Sequence, residues 1–459
     1  MATHTLDPEV LKRHVQDLID KRLVHEIHTS ERRSYRSCRR RWHWVFQEFY
    51  YPHVTAKPLE FGVAFHNAME VLYEPSTWGF DREIVKNAAI QTFVNTCLDQ
   101  KKKYLQDIDE SYLTSEEAEQ DYDDRVELGK GMIEYYWKNV APLYDKGLKP
   151  LRVEVEFIVP IQDPDTNEYL FCTCIRCRKT QEEYLQSDPD LINTLGYVEV
   201  EWQRTYDPTI QEELFWELRV GGEQAPWQRW DGLVVTLAGR IDLLAQDNHG
   251  YIWVIDWKTA ARLARGDASG QDRDEFLELD DQIGSYVMAL RRKLGLNVRG
   301  FVYVELKKGF PKAPEKNKQV RQGRMFSVNK QQDTDYETYR RTVAEEDAGA
   351  YEMGLYDEFL DFLKNEGINF HGRYQIMKTD AELEEIERNL FQEAAEMSDP
   401  NLRIYPSAGR FTCSNCAFRQ PCLEKNRQGD WEYMLNTLYS KREKHYWVKE
   451  LSTDKQGGE

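Results

Sequence analysis

Residues 239–259 read GRIDLLAQDNHGYIWVIDWKT, and this stretch decides the fold because it predicts a β-hairpin that carries acidic residues. Residues 247–250, DNHG, supply the turn, since asparagine and glycine tolerate positive φ. The apolar runs on both sides of the turn have the composition of strands. Side chains alternate along a strand, so we expect Asp256 and Lys258 on one face and Asp242 near them on the paired strand.

Acids inside an apolar hairpin indicate either a salt bridge or a metal site. Charged groups are costly to bury unless they are paired or bound to a metal. Two carboxylates held close together repel, and a divalent cation removes that repulsion. A plain salt bridge between Lys258 and Asp256 is the structural alternative, because the tripeptide Asp-x-Lys is common.

The composition of the 459 residues is that of a globular protein, with 41% hydrophobic and 12% aromatic residues. Such a chain can bury a large core and make two or three domains. The net charge of −19 repels nucleic acid, so DNA contact requires local basic clusters. No apolar run is long enough for a bilayer and no signal peptide is present, so we expect a cytoplasmic protein without membrane contact. Eight cysteines in a reducing compartment predict metal ligands rather than disulfides.

Two basic stretches are candidates for DNA contact. In residues 30–50, six arginines surround Cys38 and alternate with aromatic residues. This mixture suits phosphate contact and base stacking, and a solvated basic helix is the alternative. The second stretch, residues 307–324, is either the lining of a DNA channel or a solubilising loop.

Helical spacing predicts a helix at residues 60–74, with His66 at the edge of its apolar stripe. A lone histidine in that position is usually a core residue. A second helix is predicted at residues 276–294, where Gln282 and Tyr286 lie one turn apart.

Further helices are predicted at residues 334–365 and 380–398. Thr379 and Glu382 form a capping-box signature for the second of them.

Strands are predicted at residues 151–161 and 299–307. The first alternates and places Glu154 and Glu156 on one face. Either glutamate could reach the metal site, and a solvent-facing strand edge is the favoured interpretation. The second follows the hairpin and a helix, and strand-helix-strand order implies a right-handed parallel crossover.

The cysteines form two sets. Cys172, Cys174 and Cys177 could make most of a tetrahedral zinc site, with Cys97 as a candidate for the fourth ligand. The other set lies in residues 411–423, FTCSNCAFRQPCL, and is too compact and too odd in number for a two-knuckle zinc ribbon. It calls for one distant thiolate. The set consists of Cys413, Cys416 and Cys422, and Cys38 is the candidate for the distant ligand. Zinc is one metal that these four thiolates could bind.

The order of these motifs resembles the RecB-like branch of the PD-(D/E)XK nuclease superfamily, in particular its iron–sulfur members such as the CRISPR-associated exonuclease family. The resemblance covers residues 31–425. It includes Gly62-x-x-x-His66, the hairpin acids with the Asp-x-Lys motif, and Gln282-x-x-x-Tyr286. The implied fold is α/β, a restriction-endonuclease-like αβββαβ core with a mixed sheet, whose helical N- and C-terminal additions are stapled by a metal cluster.

The resemblance also implies a site. The expected ligands of Mg²⁺ or Mn²⁺ are His66, Asp242, Asp256 and the Trp257 carbonyl. The expected catalytic residues are Asp242, Asp256, Lys258, Gln282 and Tyr286. The expected ligands of a [4Fe–4S] cluster are Cys38, Cys413, Cys416 and Cys422. Lys258 would orient the attacking water or stabilise developing charge.

The implied organisation has four parts. They are residues 1–150, a helical region with the first cluster cysteine and the histidine motif; 151–161 and 231–330, the nuclease core; 162–230, an insertion with a cysteine-rich turn; and 331–459, a helical region with the remaining cluster cysteines.

The implied function is a metal-dependent DNA nuclease, expected to be an exonuclease, acting in recombination, repair or processing. Its expected partners are single-stranded or free-ended DNA and recombination or replication proteins. The alternative is a non-catalytic iron–sulfur DNA-binding partner.

Overall fold

Helices and strands of many lengths follow one another in the computed structural model of the chain, which describes residues 8–52, 57–107, 115–174, 177, 180, 181, 183, 199–207, 212–222, 225–229, 232–261, 263, 274–365, 367 and 369–441. The α-helices are Pro8–Asp20, Thr29–Ser37, Arg39–Trp42, Lys57–Tyr73, Arg82–Asp107, Ser115–Tyr135, Ala141–Tyr144, Asp274–Glu278, Asp281–Met288, Tyr336–Glu346, Ala348–Glu352, Asp357–Asn365, Asp380–Ser398, Arg410–Ser414, Arg419–Asn426 and Trp431–Leu438. Pro75–Thr77 is a 3₁₀-helix, and His43–Gln47, Tyr136–Val140 and Ala289–Lys293 are π-helical. Within this described part of the chain, no helix combines the length and apolar character needed to cross a membrane.

The strands are β1 (His25–His28), β2 (Tyr50–Pro52), β3 (Lys149–Pro160), β4 (Phe171–Cys172), β5 (Glu199–Asp207), β6 (Glu212–Gly222), β7 (Ala225–Arg229), β8 (Leu233–Gln246), β9 (Ile252–Ala260), β10 (Val298–Lys307), β11 (Lys316–Arg321), β12 (Arg324–Phe326), β13 (His371–Ile376) and β14 (Tyr439–Lys441). The chain divides into two units. The terminal unit comprises Met1–Val54, Glu156–Gly239 and Thr379–Glu459, and the central unit comprises Thr55–Val155 and Arg240–Lys378.

The central unit contains the predicted hairpin and crossover. Residues 243–246 of β8 pair antiparallel with β9, and Gly250 adopts φ +85° in the turn, which explains the glycine there. β10 lies parallel to β9, as strand-helix-strand order predicts, and β13 pairs antiparallel with β10. The result is a mixed α/β architecture that agrees with the predicted restriction-endonuclease-like core.

Apolar faces of helices cover this sheet. Phe65 and Phe93, from the Lys57–Tyr73 and Arg82–Asp107 helices, belong to the same buried cluster as Leu243, Ile255 and Val302 of the sheet. Burial of this apolar surface is the main stabilising term for such a layer. The predicted helix at residues 60–74 is confirmed, and its core face fixes which way His66 points.

In the terminal unit, β8 pairs with two short strands. His25 of β1 lies parallel and opposite Val235, and Cys172 of β4 lies antiparallel and opposite Leu233. Val24 and Val234 pack with the apolar face of the Pro8–Asp20 helix. The stretch 162–230, predicted as an insertion, contains a separate antiparallel sheet in the order β5-β6-β7.

The arginines of residues 30–50 form ion pairs within the terminal unit. Arg32 is 1% exposed, and its Nε lies 2.7 Å from Glu393 Oε2. Arg39 Nη2 lies 3.0 Å from Glu396 Oε2, and Arg36 Nε lies 3.5 Å from Glu393 Oε1. For Arg32, the interpretation as part of a solvated basic helix is wrong, because the side chain is buried against an acid of the Asp380–Ser398 helix.

Two predicted helices are interrupted. The stretch 276–294 contains part of the Asp274–Glu278 helix and then the Asp281–Met288 helix, because Asp280 accepts hydrogen bonds from the amides of Gln282 and Ile283 and starts a new helix. Leu279, predicted as an apolar position, is 83% exposed at this break. Similarly, the stretch 334–365 forms three helices.

The helix predicted at residues 380–398 is confirmed. The Thr379 side chain and Glu382 form the predicted capping box at its start.

We predict that Asp145→Ala lowers the free energy of unfolding by about 3–5 kcal/mol. This buried carboxylate accepts hydrogen bonds from the hydroxyls of Tyr73 and Tyr136 and from Arg373 Nη1, the last at 3.0 Å. Its removal leaves a buried guanidinium without this counter-ion. Urea denaturation followed by fluorescence measures the change. Asp99→Ala is the control, because Asp99 is 75% exposed in an ion pair with Lys102, and it should shift stability by less than about 0.5 kcal/mol.

Candidate functional site

The β8–β9 hairpin places two acids opposite each other. Its register pairs Leu243 with Ile255, and one further step along each strand brings Asp242 opposite Asp256. Both side chains are buried. Two like charges in a low-dielectric position need compensating groups, and the neighbouring elements supply them.

Lys258 lies on the same face of β9 as Asp256. Its Nζ lies 2.8 Å from Oδ1 and 2.6 Å from Oδ2 of Asp256. Gln282, near the start of the Asp281–Met288 helix, donates a hydrogen bond from Nε2 to the same Oδ1 at 3.1 Å. Lys258 thus engages both oxygens of this carboxylate. A carboxylate oxygen has more than one lone pair, so Oδ2 can also bind a cation.

His66 approaches Asp242 from the Lys57–Tyr73 helix. Its Nδ1 lies 3.2 Å from Oδ2 of Asp242, which also accepts the backbone N–H of Trp257 at 2.9 Å. Asp242 is thus held by a side chain from one element and by the backbone of the paired strand. The Trp257 peptide lies beside the acids, and its N–H is the group that contacts them.

Glu154 joins this group, although the sequence analysis placed it at a solvent-facing edge. The structure places ligand atoms of His66, Glu154 and Asp242 within 4.8 Å of one another. Glu154 has φ +48°, which disturbs the alternation of β3, and its Oε2 lies 2.7 Å from Arg240 Nε. Glu156, two residues later, instead pairs with Arg22 at 2.8 Å. The sequence signal for Glu154 was an acid inside an alternating apolar strand, but regular alternation cannot separate it from Glu156.

The acids carry opposite pKa shifts. Burial raises the pKa of Asp256 to about 6, and the charge of Asp242 adds to the shift although Lys258 opposes it. Burial would also raise the pKa of Asp242, but the charge of His66 and its hydrogen bond hold that pKa below its ordinary value. Asp242 is therefore the stronger acid of the pair, and the repulsion between the two carboxylates raises the pKa of Asp256.

Two neighbouring groups follow the same physics. Burial raises the pKa of Glu154 to about 7, and the positive charge of Arg240 limits the rise. Burial would lower the pKa of His66, but the negative charge of Asp242 outweighs it and raises that pKa. Three acids therefore lie close together, and a divalent cation would relieve the repulsion among them.

Tyr286 lies one turn after Gln282 and is buried. Its hydroxyl accepts a hydrogen bond from the backbone of Arg240, and burial raises its pKa. The resemblance implied that both residues are catalytic. In the structure Gln282 contacts Asp256 directly, whereas Tyr286 holds the backbone two residues before Asp242.

The donor set fits a hard divalent cation. Carboxylate oxygens are the ligands that Mg²⁺ and Mn²⁺ prefer, and one imidazole is compatible with Mn²⁺ as a minority ligand. Glu154 and Asp242 supply oxygens, and His66 supplies the nitrogen. Asp256, opposite Asp242 on the hairpin, is a further oxygen donor.

The cysteines of residues 411–423 lie near Cys38 in the terminal unit. Burial raises the pKa of Cys416, and the thiols of Cys38 and Cys413 contribute to that rise. Arg40 Nη1 donates to Cys422 Sγ at 3.3 Å. Cys38 therefore lies within electrostatic range of Cys416, and Arg40, two residues after Cys38, contacts Cys422.

Aromatic residues enclose these thiols. Trp44, Phe418 and Tyr439 are buried in the cluster against which Cys416 and Cys422 pack. Cys416 and Cys422 are half-buried against this apolar cluster, and Arg40 brings a positive charge to Cys422. Such surroundings suit a metal group bound by thiolates.

A histidine lies beside the other cysteine set, which consists of Cys172, Cys174 and Cys177. His25 Nδ1 lies 3.3 Å from Cys177 Sγ, and the ligand atoms of His25, Cys172 and Cys177 lie within 4.8 Å of one another. Cys97, considered from sequence as the fourth ligand, belongs instead to the buried apolar cluster of the central unit. Nothing in the sequence near His25 indicated this role.

A family model described as the PD-(D/E)XK nuclease superfamily matches residues 29–423 of this chain. That span contains the hairpin acids, Lys258 and His66 as well as the cysteines from Cys38 to Cys422. A comparison with curated proteins finds no match.

We predict that Glu154→Gln weakens Mn²⁺ binding by about 10–100-fold, because one anionic oxygen near His66 and Asp242 is lost. Isothermal titration calorimetry or Mn²⁺ electron paramagnetic resonance measures the dissociation constant. Glu156→Gln is the matched control on the same strand, and it should bind Mn²⁺ like the unmodified protein. Equal affinities for all three proteins would remove Glu154 from the site.

Proposed function

Because the chain belongs to the PD-(D/E)XK nuclease superfamily, whose members are typically metal-dependent nucleases, we propose that it is a Mg²⁺- or Mn²⁺-dependent deoxyribonuclease that hydrolyses phosphodiester bonds. The observation that carries the proposal is the contact of Lys258 with Asp256, directly beside the pair formed by Asp242 and His66. A plain salt bridge would account for Lys258 alone. It does not account for Glu154 and His66, which bring a further acid and an imidazole to the same place.

His66, Glu154, Asp242 and Asp256 would hold the cation, and the Trp257 carbonyl is a further candidate ligand from sequence. When bound, the cation lowers the pKa of water and polarises the phosphoryl oxygen. Asp242 is kept ionised by His66 and by the Trp257 amide, so a ligand is available at neutral pH without loss of a proton.

Lys258 would act on the reacting phosphate. Neighbouring acids raise its pKa above the ordinary value although burial opposes this, so its ammonium is charged at neutral pH. A charged donor at that position can orient the attacking water or stabilise the negative charge that develops on the phosphate oxygens. Gln282 holds Asp256 from the other side and is a positioning residue for it, as Tyr286 is for the β8 backbone.

The substrate proposal is DNA that is single-stranded or has free ends, cut by exonuclease action in recombination, repair or processing, with recombination or replication proteins as partners. Basic residues that remain exposed support DNA contact. Lys318 and Arg321 of β11 are exposed in a protein whose net charge is −19. Local cations of this kind are what an acidic protein needs to bind phosphate. Lys312 and Lys316 belong to the same stretch, but both lie near acids, Asp333 and Glu346.

We further propose the RecB-like iron–sulfur type, with a [4Fe–4S] cluster on Cys38, Cys413, Cys416 and Cys422. The supporting observation is the contact of Arg40, two residues after Cys38, with Cys422. Ligands 375 positions apart, from Cys38 to Cys413, would make cluster binding contribute to folding free energy. The cluster is then a structural staple, and the reducing cytoplasm predicted from cysteine usage suits its assembly.

We predict that Lys258→Ala and Asp256→Asn each reduce DNA cleavage by at least about 100-fold while folding persists. The first removes the charged donor, and the second removes an anionic ligand with little change of shape. The assay is Mn²⁺- and Mg²⁺-dependent digestion of single-stranded and end-labelled duplex DNA. Circular dichroism checks that each variant is folded.

Lys102→Ala is the control, because Lys102 is 60% exposed in an ion pair with Asp99 and lies outside both basic stretches, and it should retain full activity. Cleavage by Lys258→Ala at the unmodified rate would contradict the role of the lysine. DNA binding without cleavage by the unmodified protein, with either metal, would favour the non-catalytic DNA-binding alternative.

We predict that the anaerobically purified protein is brown and contains about four irons per chain. Cys413→Ala should lose the colour and the iron, because one ligand is removed. Visible absorption and elemental analysis measure both. Cys97→Ala is the control, since Cys97 lies in the apolar core of the central unit, and it should keep its iron. A folded, colourless protein with zinc on these thiols would point to the alternative metal.

A further inference from the structure

The β8 strand brings a histidine and a cysteine to one face of the terminal unit. His25 on β1 lies opposite Val235, and Cys172 on β4 lies opposite Leu233. Positions two apart on a strand share a face, and partners in neighbouring strands point to the same side. His25 and Cys172 therefore project together, although 147 positions separate them in the sequence.

Two further thiols meet them. Cys177 Sγ lies 3.3 Å from His25 Nδ1, and the Cys174 thiol is hydrogen-bonded to the thiols of both Cys172 and Cys177. Each of the three sulfurs could donate an electron pair to one ion.

The spacing is that of a small metal ion. Zinc bonds of about 2.3 Å to sulfur and about 2.0 Å to nitrogen place tetrahedral ligands about 3.8 Å apart for two sulfurs and about 3.6 Å apart for sulfur and nitrogen. The observed ligand atoms of His25, Cys172 and Cys177 lie within 4.8 Å of one another. All three residues are at most 2% exposed, so water has little access to them.

We propose that His25, Cys172, Cys174 and Cys177 form a closed structural zinc site that is separate from both the nuclease site and the cysteine set at residues 413–422. Three thiolates and one imidazole are a common zinc ligand set, and four protein ligands leave no position for a substrate. The site accounts for a histidine and three cysteines that phosphodiester hydrolysis does not use.

The backbone around Cys172 is shaped for this contact. Gly232 has φ +99°, and a Cβ there would lie 2.0 Å from the Cys172 carbonyl oxygen, so only glycine fits. The Gly232 N–H donates to Gln181 Oε1, four residues after Cys177. Zinc would therefore tie β1 to the cysteine-rich turn, and β1 leads directly into the Thr29–Ser37 helix that ends at Cys38.

The test is elemental analysis of the full-length protein and its variants, purified without added metal. The unmodified protein should carry about one zinc ion per chain, and Cys174→Ser and His25→Ala should each reduce zinc at least tenfold. His28→Ala is the matched control: His28 lies on the same strand with opposite alternation and pairs with Glu26 at 3.6 Å. It should keep its zinc.

A second measurement does not depend on how the variants fold. The unmodified protein, after exchange of its zinc for Co²⁺, should show the intense visible bands of a tetrahedral ion and the charge-transfer absorption of sulfur ligands. Absence of thiolate charge transfer would overturn the site. Zinc that is retained in both Cys174→Ser and His25→Ala, or a disulfide among the three cysteines in mass spectrometry, would also overturn it, as would iron in place of zinc.

These outcomes are independent of nuclease activity. An inactive protein that holds zinc on His25 would contradict the proposed hydrolase and leave the zinc site standing. An active nuclease that contains no zinc would contradict the zinc site and leave the proposed hydrolase standing.

Discussion

The repulsion between Asp242 and Asp256 is the constraint on which the central unit depends. A β-hairpin places the two carboxylates opposite each other and buries both, and such a pair is unstable unless positive groups surround it. Lys258 comes from the hairpin itself, whereas His66 and Gln282 come from two helices packed on the sheet. The positions of these helices are therefore set by electrostatics as well as by apolar packing. The negative charge of the two carboxylates is balanced here by Lys258 and His66. A bound cation could take over part of that role.

Part of the basic charge that the sequence analysis considered for DNA contact is used within the protein. The densest basic stretch, residues 30–50, uses Arg32, Arg36 and Arg39 for ion pairs with two glutamates of one helix. A buried guanidinium requires such a partner because its desolvation is costly. Sequence shows the cations but not the acids more than 350 positions away that neutralise them. Exposed basic residues on β11 are fewer, and their charge remains available at the surface.

Local patterns predicted much of the architecture. Turn residues and alternation located the hairpin, an apolar stripe located the His66 helix, and the capping box marked the start of the Asp380–Ser398 helix. The failures have specific causes. Apolar periodicity predicted one continuous helix, but Asp280 caps a new helix within that stretch. Regular alternation placed Glu154 with Glu156, but the positive φ of Glu154 changes the direction of its side chain. The meeting of His25 with Cys177 depends on pairing through β8, which no short sequence window contains.

The terminal unit is built from three separate stretches, and this has a consequence for synthesis of the protein. The ion pair between Arg32 and Glu393 spans 361 positions. At a translation rate of about 5–20 residues per second, about 20–70 s pass between the appearance of these two residues. During that interval the Thr29–Ser37 helix cannot reach its final packing. A chain that stops before Glu393 lacks the acid that pairs with the buried guanidinium of Arg32, so this part of the terminal unit can form only after nearly the whole chain has been made.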